Sequence, residues 1–119
     1  MRYWTVGEAR AFLPRLRELV AVVQASALVA SRAAGNGHAG NGQAVGVDGA
    51  ADAAAALAEL EAEGIVVRDP VSGLIDFPAE GADGVVYLLC YRMDEEDLAW
   101  WHLPEDGFAG RRPLPRDPA

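Results

Sequence analysis

Residues Val85 to Met93 form a run in which Val85, Tyr87, Leu89, Tyr91 and Met93 alternate with Val86, Leu88, Cys90 and Arg92. Successive side chains of a strand point to opposite faces, so both faces of this segment are apolar apart from Arg92. Such a strand sits centrally in a sheet and needs cover on both sides. One helical layer covers one face, and a bare second face would exceed the roughly few hundred Å² of apolar patch that soluble monomers tolerate. The predicted cover is a second copy of the chain, because isologous dimers dominate soluble assemblies. A C-terminal segment folded back, or a separate protein partner, are the alternatives.

The helical layer is legible upstream. Thr5 and Glu8 form a capping box, which starts a helix at about Val6. Pro14 removes a backbone donor and crowds the preceding turn, so a break is expected after about Phe12, with Pro14 opening a second, longer helix. Leu16, Leu19, Val20, Val23, Ala27 and Ala30 mark its buried stripe. Residues 35–49 are dense in glycine and predict a flexible loop. The segment lacks the lysine of a phosphate-binding loop. Asp52 to Glu63 is a helix with Ala53, Ala56, Leu57 and Leu60 on one face, stopped by Gly64. Arg15 and Arg17 lie near one helix N-terminus and Glu59, Glu61 and Glu63 near the other's C-terminus. Antiparallel packing sets these charges side by side and relieves both dipole conflicts.

Beyond Gly64 the period changes to that of strands. Ile65 to Arg68 and Leu74 to Phe77 flank the turn-forming Asp69-Pro70-Val71-Ser72-Gly73. Residues 80–84 turn the chain into the long central strand, and Leu98 to Leu103 is a last extended segment. The expected fold class is α+β: an antiparallel helical hairpin on a small, three- to four-stranded antiparallel sheet. It forms a single domain over residues 1–112, with a frayed, proline-rich tail at 113–119.

Composition excludes several function classes. The chain has 119 residues and a net charge of −8, and all 10 bases are arginine. An acidic surface without a basic stripe repels a phosphate backbone, so no nucleic-acid partner is expected. No run approaches the roughly 18 apolar residues of a spanning helix, and no apolar stretch follows Arg2, so neither a membrane span nor a signal peptide is expected. One cysteine forbids an internal disulfide and fits the cytoplasm.

The chemistry-bearing residues gather late in the chain. His102 is the candidate general acid-base or metal-ligating group, with Glu105 as a second ligand. The plainer reading is a histidine held structurally by a carboxylate or carbonyl. Asp76 and Arg92 are charges inside strands, which must pair with each other, with Arg111 or with a ligand. If Asp76, Arg92, His102 and Arg111 converge over Trp101, they form a polar pocket suited to a small anionic ligand. The bland alternative is a solvent-facing salt bridge that sets strand register. Cys90 reads as an inert small hydrophobe, the alternative being a nucleophilic Cys90–His102 pair. No serine stands in a nucleophile elbow, and no motif names a cofactor.

Several blocks carry a family likeness: Gly73-Leu74-Ile75-Asp76-Phe77-Pro78, Leu89-Cys90-Tyr91-Arg92, Trp101-His102 and Gly107-Phe108-Ala109-Gly110-Arg111. With these, and with Glu8-Ala9 and Leu13-Pro14 in the opening segment, the chain resembles a bacterial family known as domain of unknown function 2203. The likeness spans nearly everything except the glycine segment, where members continue a charge-rich helical hairpin. It implies no established activity. The residues favour a non-enzymatic interaction or small-ligand-binding module acting as a homodimer. The alternative is a small metal-binding protein or enzyme with a polar pocket around His102.

Overall fold

A computed structural model of the chain describes residues 2–36 and 43–115. Helix α1 spans Val6–Asn36 and α2 spans Gln43–Ala62. A five-stranded antiparallel sheet follows: β1 (Val66–Asp69), β2 (Leu74–Glu80), β3 (Val86–Arg92), β4 (Trp100–His102) and β5 (Arg112–Pro113), in chain order. The class is α+β, with one strand more than the upper expectation because Arg112–Pro113 adds an edge to β4.

The helix ends follow their local chemistry. Glu8 N–H donates to Thr5 Oγ1 and Thr5 N–H to Glu8 Oε1, both at 3.0 Å, closing the capping box. At the end of α2, Gly64 adopts φ +76°, its N–H donates to Glu61 O, and Ile65 N–H donates to Leu60 O. Those two bonds make a Schellman stop, sealed by burial of Leu60 and Ile65. Arg15 grips Glu59 through Nε and NH2 at 2.9 and 2.8 Å, which fixes the antiparallel register of the hairpin. Arg17 turns instead to the Tyr91 hydroxyl and to the carbonyls of Glu95 and Glu96.

The break expected at Pro14 does not occur, for Pro14 lies inside one continuous helix. The lost bond and ring clash cost about 3 kcal/mol, but Pro14 faces solvent, where water can serve the freed carbonyl. Continuity buries Leu13, Leu16, Leu19, Val20 and Val23 on the sheet. Each such side chain contributes about 1.5–3 kcal/mol, so burial prevails. The stripe ends early: Ala27 is half-buried and Ala30 exposed. A 31-residue helix is about 46 Å long, whereas seven-residue strands reach only about 23 Å. The outer helical hairpin therefore overhangs the sheet.

Both helices also extend into the segment expected as a loop, α1 to Asn36 and α2 from Gln43; residues 37–42 lie outside the described residues. In the expected tail, Pro113 pairs with Trp100 and Leu114 packs against the core.

The two faces of β3 have different partners. Tyr87, Leu89 and Tyr91 join Ile75, Phe77, Ala79 and Trp101 in the core under the helices. On the opposite face, Asp76, Leu88 and Cys90 are also buried within the single chain. Much of their cover is the chain's own segment beyond His102, the second of the three covers weighed from the sequence. The bare face on which the expected dimer rested is thus closed internally. Among the described residues no helix is long and apolar enough to cross a membrane.

Trp101 is 4% exposed and meets Tyr87 edge-on at 5.8 Å. Trp101→Ala should therefore cost about 3–5 kcal/mol in chemical denaturation; a loss below about 1 kcal/mol would remove Trp101 from the core.

Candidate functional site

The outer face of the sheet gathers its polar groups by register. Asp76 lies directly across from Cys90, and Cys90 across from Trp100, with Leu88 across from His102. His102 is thus the diagonal neighbour of Cys90 on the same face. All three are buried: Asp76 at 0%, Cys90 at 1% and His102 at 5% exposure. They floor an open pocket of about 290 Å³, edged by Arg68 and Leu74 and roofed by Pro104 to Phe108.

Asp76 is the hub. Its Oδ1 stands 3.0 Å from His102 Nε2, and its Oδ2 accepts from Arg68 Nε at 2.7 Å. The other nitrogen of His102, Nδ1, lies 2.8 Å from the Leu103 carbonyl. That carbonyl can only accept, so Nδ1 carries a proton. The Nε2–Oδ1 contact then needs a proton of its own, shared between the imidazole and the carboxylate. Neither ring nitrogen is left to activate Cys90. The Cys90 thiol is pushed up to about 12, first by burial and then by the Asp76 charge, although Arg111 opposes the shift. A thiol so held is a poor nucleophile.

The remaining predicted residues take other positions. Arg92 binds Asp94 through Nε and NH2 at 2.7 and 3.0 Å. Arg111 NH2 meets both oxygens of Glu95 at 2.7 Å, and this pair is largely buried. The two guanidinium groups lie 5.0 and 4.5 Å from the Phe108 ring, and Arg111 also lies 5.0 Å from Trp100. Neither arginine therefore converges on Asp76: the nearby acids of the Asp94–Asp97 turn engage Arg92 Nε and NH2 and Arg111 NH2, while Arg111 Nε is buried without a partner. Trp101 points to the opposite face, into the core. Glu105 stands on the pocket wall, exposed, and outside the close group of potential ligand atoms formed by Asp76, Cys90 and His102.

Cys90 is the site residue that sequence reasoning set aside. The signal was present: a hairpin centred at Asp83 pairs the residues seven positions to either side, Asp76 and Cys90. The roof also depends on a close approach, since a Cβ at Gly110 would lie 2.7 Å from Asp106 Cβ.

The raised thiol gives a signed pH dependence. Folding favours the protonated thiol, so this contribution is complete below the unfolded thiol's pKa of about 8.5. It is lost as pH rises towards about 12. With a chelator present, the denaturation midpoint of the wild-type chain should fall more steeply above pH 9 than that of Cys90→Ala. Parallel curves would contradict the assigned environment.

No curated protein and no solved structure matches the chain. The family described as "Uncharacterized conserved protein (DUF2203)" matches residues 2–114, nearly the entire length. The match spans both helices, the complete sheet and every residue of the Asp76–Cys90–His102 floor, and on that extent the chain belongs to this family of uncharacterized conserved proteins.

Proposed function

We propose that the protein is a non-enzymatic binding module for a small ligand, and that the ligand carries positive charge. The observation that carries this reading is a fully buried carboxylate, paired with a buried imidazole, at the floor of an open pocket. Apolar residues of similar volume would serve stability as well or better, because desolvating a buried ion pair costs several kcal/mol. In this reading a ligand is the reason the pair is kept.

The sign follows from the lining. Glu105 and Asp106 supply acid groups on the wall, while the charges of Asp76 and Arg68 offset each other. The two arginines from which the sequence suggested an anion site are bound to Asp94 and Glu95. Binding is favoured over acid-base catalysis because both nitrogens of His102 are hydrogen-bonded to oxygens of the chain. Every group in the pocket comes from one chain, which makes the single chain the binding unit in this reading.

Thermal shift with small probes tests the sign. Methylammonium and putrescine should raise Tm in a saturable way, and acetate and phosphate at equal ionic strength should not. The rise should vanish in an Asp76→Asn variant that still unfolds cooperatively. Protection by the anions, or by neither class of probe, would overturn the reading.

A further inference from the structure

Resting on the reading of the pocket as a cation site, a more specific assignment follows from the donor atoms. We propose that Asp76, Cys90 and His102 are three ligands of a divalent metal ion of the zinc class, bound at the pocket floor with its fourth position facing the cavity. The carboxylate, thiol and imidazole donor atoms all lie within 4.8 Å of one another. Oδ1 and Nε2, the closest pair, are 3.0 Å apart. Zinc bonds of about 2.0–2.3 Å in a tetrahedron separate ligand atoms by about 3.3–3.7 Å. Adjustments of about 1 Å or less convert the present arrangement into that one.

The surroundings of the ligands favour the assignment. The Leu103 carbonyl accepts a hydrogen bond from Nδ1 of His102 and leaves Nε2 as the ligating atom. Arg68 takes Oδ2 of Asp76 and leaves Oδ1 directed at the same point. Asp76 and Cys90 are cross-strand neighbours on paired strands, so backbone pairing sets their spacing. One sulfur, one nitrogen and one oxygen donor suit zinc, cobalt or iron, and are a poor match for magnesium or calcium, which take oxygen ligands.

Binding sends the thiol proton and the proton shared between Nε2 and Oδ1 to solvent. A thiolate, a carboxylate and a neutral imidazole then hold the dication, with Arg68 still on Oδ2 of Asp76. Three protein ligands and one position open to an accessible cavity describe a site that can accept water or a ligand atom. Glu105 and Asp106 stand on the wall, within the cavity but outside the close group.

The test uses the full-length protein, treated with chelator and titrated with cobalt(II) and then zinc. One cobalt per chain should produce a thiolate-to-metal band in the near ultraviolet, and zinc should abolish it while magnesium leaves it unchanged. Cys90→Ala should lose the band. Arg68→Ala, which leaves all three ligands in place, should keep it and weaken affinity by about 10–100-fold. If Cys90→Ala fails to fold, Arg68→Ala and magnesium competition still decide the question. A missing band overturns the assignment, as does cobalt uptake unchanged in Cys90→Ala. If ammonium probes protect the protein while metal does not bind, the metal assignment falls and the cation pocket stands. If neither binds, both readings fall.

Discussion

The outer face of this protein is organised around one carboxylate with no solvent exposure. Asp76 receives Arg68 on one oxygen and His102 on the other, and its charge helps to keep the Cys90 thiol protonated. A buried charge left without such partners would cost several kcal/mol. The strand register that brings Cys90 and His102 beside Asp76 is therefore bound up with the fold's tolerance of an acid in its middle layer. The segment beyond His102 completes the arrangement: Leu103 fixes the imidazole, and the Arg111–Glu95 pair fastens the chain that follows.

Two layers thus divide the work. Helix α1, α2 and the inner sheet face form an ordinary apolar core from Leu16, Val20, Leu60, Phe77, Tyr91 and Trp101. The outer face trades apolar packing for a polar floor under an arginine-pinned roof. Phe108, a pocket-lining residue of the roof, lies against the guanidinium groups of Arg92 and Arg111. The acidic turn at Asp94 to Asp97 is more than a connection. Through Arg17 it is tied to α1, and through Arg111 to the C-terminal segment. Helical layer and roof are therefore linked around the end of the sheet.

Local chemistry made much of this legible from the residues alone. The capping box at Thr5, the stop at Gly64, the turns at Ser72-Gly73 and Gly84, and the Arg15–Glu59 register all obey rules that span few residues or one helix pair. Other features were settled by competition between elements. Pro14 breaks a helix in isolation, yet the stripe from Leu13 to Val23 gains more from continuity than the proline costs. Arg92 and Arg111 looked like anion binders because the alternation of strands says nothing about which acid lies nearest. Asp94 and Glu95 were closer than Asp76. Cover for the second face came from within because a coil of few residues can return over a short strand, which apolar periodicity does not report. Cys90 was passed over as a small hydrophobe, and only the cross-strand partner reveals its setting.

The central claim is that Asp76 and His102 act as one buried, proton-sharing unit. A double-mutant cycle with Asp76→Asn, His102→Gln and the pair, read by chemical denaturation of chelator-treated protein, tests it directly. The account predicts a coupling energy of more than about 1 kcal/mol, with the double variant losing far less than the sum of the singles. Additivity within about 0.5 kcal/mol would show that the two side chains do not depend on each other, and would contradict it.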